Sequence, residues 1–192
     1  MLPQNKGFTL VELLVVIAIV AVLSVVVILT LNPAELLKQS RDSNRISDMA
    51  TIRSALSLYF ADGKGFNEGG ATIAFTNCYM SHTVTSTRCG GVFTTTTITG
   101  AIGSVATYQN GTGWLPVNFS YISSGSPIGS LPLDPSNTST NYYAFAATSY
   151  QSGFKLAVKA LESTKYTVTN PVAANDGGSS STVYEVGTNL SL

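Results

Sequence analysis

The sequence predicts an α+β chain in which a long N-terminal helix, apolar in its first half and amphipathic in its second, packs on a small antiparallel sheet. Three observations predict it. Phe8 opens an apolar run that reaches Leu31 with a single charged residue, Glu12. Helical periodicity returns from Ala34 to about Ala61. The remainder is rich in Ser, Thr, Gly and Asn, with short strand-like stretches between turns. At 192 residues the chain has room for one modest domain and one added element.

The first element carries the strongest signal. Residues 1–7, MLPQNKG, are polar with one positive charge at Lys6, and the stretch from Leu13 to Leu31 holds 19 uncharged residues. As a helix, the run from Phe8 spans about 36 Å, enough to cross a bilayer. A secretory signal peptide has an apolar stretch of about 7–15 residues and a small-residue cleavage site. This run is longer and lacks that ending, so the helix is expected to be kept. Lys6 ahead of the run places the N-terminus in the cytoplasm and the C-terminal region outside, although Lys38, Arg41 and Arg45 weaken that bias. A plain anchor leaves Glu12 unexplained: a mid-membrane charge costs about 2.5–3.5 kcal/mol, and less near the membrane edge. It calls for a partner.

The residues Lys6-Gly7-Phe8-Thr9-Leu10-Val11-Glu12, followed by LLVVIAIVAVLSVV, closely resemble the class III signal of type IV prepilins, the family that includes the type II secretion pseudopilins. The resemblance implies a type IV pilin-like fold. It also implies cleavage by prepilin peptidase between Gly7 and Phe8, N-methylation of Phe8, and a role for Glu12 in assembly opposite the new amine of a neighbouring subunit. Residues 1–7 are then a removed leader and 8–31 a transmembrane and filament-core helix. The implied partners are the chain itself or other pilins in a homo- or hetero-polymer, the peptidase, the membrane, and an inner-membrane assembly platform driven by a separate ATPase. The implied life history is a single-pass cytoplasmic membrane protein that becomes part of an extracellular filament. Three functions stay open: a major or minor pilin, a pseudopilin of a type II secretion or DNA-uptake system, or a membrane-anchored surface-binding module.

Beyond the membrane, Asn32-Pro33 predicts a kink or helix restart, because Pro lacks an N–H and disfavours helix for the residue before it. In the amphipathic half, residues 32–62, Ile46, Met49, Ile52, Leu56, Tyr59 and Phe60 form one stripe, which should lie against a sheet. Lys38, Arg41, Arg45, Asp48 and Arg53 fall largely off it, as a solvated face or a contact between stacked subunits. Asp62-Gly63-Lys64-Gly65 suits a left-handed cap. Residues 63–113 read as a variable connection containing Cys78 and Cys89, with a strand at Val92 to Thr99, and residues 114–192 as the β-rich region. Strands are expected at Tyr142–Thr148, Phe154–Leu161 and Val183–Val186, with turns at Ser152-Gly153 and around Asn175 to Ser181. Two further fingerprints, Gly113-Trp114-Leu115-Pro116 and Leu131-Pro132-Leu133-Asp134-Pro135, resemble the turn ahead of the first strand in type II secretion pseudopilins and minimal pilins. In it Asp134 bonds nearby backbone amides and Pro135 holds it extended.

Outside the cell, Cys78 and Cys89 are expected to form a disulfide, the alternative being two unrelated thiols. With only His82 besides, they offer too few ligands for structural zinc. No cofactor is expected. Some pseudopilins hold calcium in the loop before their last strand, where this chain offers Asp176. Catalysis is not expected, since a triad would have to use His82, which lies in no motif. Ten basic residues balance ten acidic ones, and no basic run interleaved with aromatics favours nucleic acid.

Overall fold

The computed structural model describes residues 7–83, 86–148 and 153–192; the leader residues before Gly7, and Ser152 of the expected turn, lie outside the described residues. The chain divides into an N-terminal unit ending at Leu37 and a second unit, Lys38–Leu192.

Helix α1 (Leu10–Leu31) ends at Asn32, whose backbone is left-handed (φ 41°, ψ 72°), and α2 (Pro33–Ala61) starts at the next residue. The proline ring bars right-handed helix from the residue before it, and Asn is among the few residues that tolerate the left-handed well. Asn32 also caps the new helix: its carbonyl accepts the Glu35 N–H at 2.9 Å. Helix α2 closes at Gly63 (φ 76°), with the Gly63 N–H on the Phe60 carbonyl and the Lys64 N–H on the Tyr59 carbonyl. That bond pair with a left-handed glycine is a Schellman cap, as the sequence predicts.

The sheet has five strands in the order β2-β1-β3-β4-β5, formed by β1 (Asn77–Met80), β2 (Gly100–Gly103), β3 (Tyr143–Ala147), β4 (Phe154–Val158) and β5 (Tyr184–Gly187). The pair β1/β2 is parallel and the other pairs are antiparallel. The fold is therefore α+β with a mostly antiparallel sheet, consistent with a type IV pilin-like domain. Three strands lie where the sequence places them, each somewhat shorter or shifted by a residue.

The segment 63–113 differs from expectation. It supplies β1 and β2, and Val92 to Thr99 is not a strand. A short helical turn, α3 (Arg88–Gly91), precedes it, with Cys89, Gly90 and Gly91 at positive φ, a conformation no strand adopts. The following backbone is irregular, with Val92, Phe93 and Ile98 buried as apolar anchors and the Thr94 N–H on the Leu192 carbonyl.

Both faces of the sheet are covered, and every residue of β3 and β4 is buried. On one face Met49, Ile52, Leu56 and Tyr59 of α2 pack with Trp114, Phe145 and Leu156. On the other, a second core gathers Cys78, Cys89, Phe93, Tyr142, Ala157 and Val183. Trp114 ties the two Pro-containing fingerprints together, its Nε1 donating to the Pro132 carbonyl at 2.9 Å. Gly113 beside it lies so close to the Tyr108 carbonyl that a Cβ would stand 2.2 Å from that oxygen.

Candidate functional site

The site begins at Gly7 and Phe8, which precede α1 in non-helical backbone; Phe8 is 83% exposed. Thr9 is the N-cap, extended at φ −78°, ψ 153°. Its hydroxyl accepts the Glu12 N–H at 3.2 Å, while its own N–H and hydroxyl donate to Glu12 Oε2 at 2.8 and 2.7 Å. This reciprocal capping box satisfies donors that the first turn of a helix leaves open. Glu12 thus already has a partner in its own chain, one the sequence reading missed although the Thr9-x-x-Glu12 spacing signals it.

From Leu10 to Ile28, α1 is long and apolar enough to cross a membrane, and none of that span is buried. Its hydroxyls turn inward to its own backbone: Ser24 donates to the Val20 carbonyl at 2.7 Å and Thr30 to the Val26 carbonyl at 3.0 Å. A helix in lipid needs this internal satisfaction. The surface that α1 presents is aliphatic and built for apolar surroundings.

Residues 2–28 match the model of the prokaryotic N-terminal methylation motif. That match supports a type IV pilin-like or pseudopilin protein. The apolar helix and the α+β architecture are consistent with that motif, and the signal points to membrane anchoring through α1. No characterised protein and no solved structure matches the chain.

Within the second unit, Cys78 of β1 and Cys89 of α3 are joined as a disulfide, Cα to Cα 6.1 Å, with both residues buried. Asp134 bonds the Ser136 and Asn137 amides at 2.8 and 3.2 Å, as the sequence predicts for this turn.

It also does something the sequence reading missed. Arg45, expected off the buried stripe, is fully buried, and its Nε and Nη2 donate to the two Asp134 carboxylate oxygens at 2.7 and 2.9 Å. Nη1 reaches Asp42 at 2.7 Å and Nη2 reaches Glu162 at 3.1 Å. Asp42, also buried, accepts the Glu162 and Ser163 amides at 3.0 and 2.8 Å, and Arg41 adds a second ion pair to Glu162. Burial works against the Arg45 charge, but its hydrogen bonds to Asp134 and Asp42 outweigh it and push its pKa up. Burial likewise opposes charge on Glu162, yet Arg41 and Arg45 hold its carboxyl below the usual range.

The available signal was spacing. Asp42, Arg45, Met49, Ile52, Leu56 and Tyr59 recur at three and four residues, so the two charges extend the buried stripe by a turn. The network fastens α2 to the Leu131–Pro135 turn and to the segment after β4. Among the described residues no group of three or more His, Cys, Asp or Glu side chains is arranged to hold a metal.

Proposed function

We propose that the chain is a structural subunit of a type IV pilus or pilus-like filament. It is stored in the cytoplasmic membrane through α1 with its second unit outside, cleaved between Gly7 and Phe8, methylated on Phe8 and assembled through the same helix. The observation that supports this reading is a methylation motif leading into an apolar, unburied helix that carries one acid, Glu12, close to the cleavage point.

Cleavage after Gly7 frees an amine on Phe8 with an ordinary pKa of about 7.7–8.0, positive at neutral pH. In a bundle of such helices that amine lies at the depth of a neighbour's Glu12. The pair gains little net energy because both ions lose water, but a subunit lacking one partner strands the other at a cost of about 3–5 kcal/mol. Glu12 then sets the register between copies by penalising every other one. The subunit itself performs no chemistry, and motion comes from a separate ATPase at the assembly platform.

The Leu131–Pro135 turn, locked under Trp114 and onto Arg45, favours a second reading within the family, a pseudopilin forming a short piston in secretion or DNA uptake. Subunit abundance and filament length separate the two. Mass spectrometry of the protein from cells tests both against a plain anchor. The expected mature start is N-methylated Phe8, and a start anywhere else removes the filament reading.

A further inference from the structure

In some pseudopilins the loop before the last strand holds calcium, and the corresponding loop here, from Asn175 to Ser181, does not fit one. Asp176 spends Oδ1 on the Gly178 N–H at 2.7 Å and Oδ2 on the Glu185 N–H at 2.6 Å, pinning the loop to β5. Glu185 Oε2 accepts the Ser179 and Ser180 amides at 2.5 and 3.3 Å. Calcium takes 6–8 oxygens. The position these groups surround is filled by a side chain of the protein.

That side chain is Lys155 of β4, which has no exposed surface. In the β4/β5 register Lys155 lies opposite Gly187 and Ala157 opposite Glu185, so Lys155 and Glu185 are diagonal neighbours on the face away from α2. Lys155 Nζ donates to Glu185 Oε1 at 2.6 Å, to the Leu192 backbone oxygen at 2.5 Å and to Ser179 Oγ at 3.4 Å. Its remaining side is closed by the Phe93 ring, 5.1 Å from Nζ to the centroid. An ammonium has three N–H donors, and three oxygens meet them; the aromatic face attracts a cation yet offers calcium no oxygen.

We infer that Lys155 is the resident cation of this region. Its tethered ammonium orders the 175–181 loop through Glu185 and holds the Phe93 segment and Leu192 against the second face of the sheet, so the loop is set without metal.

The test uses the full-length protein in detergent. Thermal unfolding is followed in excess CaCl2 and in chelator, where a bound ion at a hundred times its Kd raises Tm by about 5–10 °C for a chain of this size. No shift is expected, and a calcium-dependent rise overturns the inference whether or not any variant folds. Lys155→Met is expected to speed protease cleavage within 175–181 by about tenfold or more, through local opening; cleavage at the wild-type rate overturns it. Lys155→Met combined with Glu185→Gln should lower Tm by less than the two single losses added together, since a coupled pair is non-additive. Additive losses count against the pairing.

Discussion

The two units treat charge and oil in opposite ways. Helix α1 displays its aliphatic side chains and carries one acid that is hydrogen-bonded to Thr9, three residues away. The second unit hides Arg45, Asp42, Lys155 and Glu185 inside, and each finds partners distant in sequence within the same chain. A buried charge is tolerable only when its surroundings answer it. The second unit answers its own ions, whereas α1 leaves its aliphatic surface uncovered, as the membrane and filament roles proposed for it require.

The sharpest way to break this comparison is Glu12→Ala. Processing at Gly7 should continue, but filament yield should fall about a hundredfold or more, the factor that matches a stranded charge worth about 3–5 kcal/mol. Wild-type filament yield by electron microscopy and shear-release assays would mean that α1 needs no ionic answer.

Arg45→Met should next cost the second unit about 3–5 kcal/mol in denaturant unfolding, because Asp42 and Asp134 are left buried without their cation. The same change should leave Phe8 processing intact, and a loss below about 1 kcal/mol would make the buried network no better than a surface pair. Replacing Cys78 and Cys89 together by Ser should cost about 2–3 kcal/mol, the scale for closing a loop of this length. Non-reducing peptide mapping checks that the bond is present in the native chain.

The smallest effects concern pH. Burial raises the Asp48 carboxyl despite its 2.6 Å bond from the Tyr143 hydroxyl, and nearby Asp134 raises it further. A raised acid favours folding more as pH falls through its folded pKa. Glu162, with its lowered pKa, gives stability that is present above its ordinary value of about 4.3 and lost as pH falls through the folded value. Asp48→Asn should therefore remove a gain of about 1 kcal/mol or less on mild acidification, and Glu162→Gln should flatten the loss at lower pH, both read by urea unfolding across pH.

Local chemistry made much of this legible. The Asn32-Pro33 break, the Gly63 cap and the Met49-to-Tyr59 stripe follow from constraints acting within a few residues, and the sequence reading located all three. The methylation signal was legible for the same reason, being a contiguous string of residue types. What escaped depends on distant partners. The β2 segment, Gly-Ala-Ile-Gly, has poor strand propensity and pairs only because β1 lies alongside it. Val92 to Thr99 has the β-branched composition of a strand, but Cys89 and its bond to Cys78 commit the preceding backbone to tight turns. Arg45 and Lys155 look like surface residues by type, and only three-dimensional neighbours reveal them as interior ones.

Trp114 is the single tryptophan of the chain, and its buried ring hydrogen-bonds the carbonyl of Pro132 with Tyr143 6.2 Å away. Intrinsic fluorescence therefore has one emitter, placed under the turn that Arg45 fastens. A red shift on excitation of the indole announces that this turn has lifted and water has entered, and the signal needs no attached dye. Because α1 contains no indole, the same spectrum stays silent about what that helix is doing.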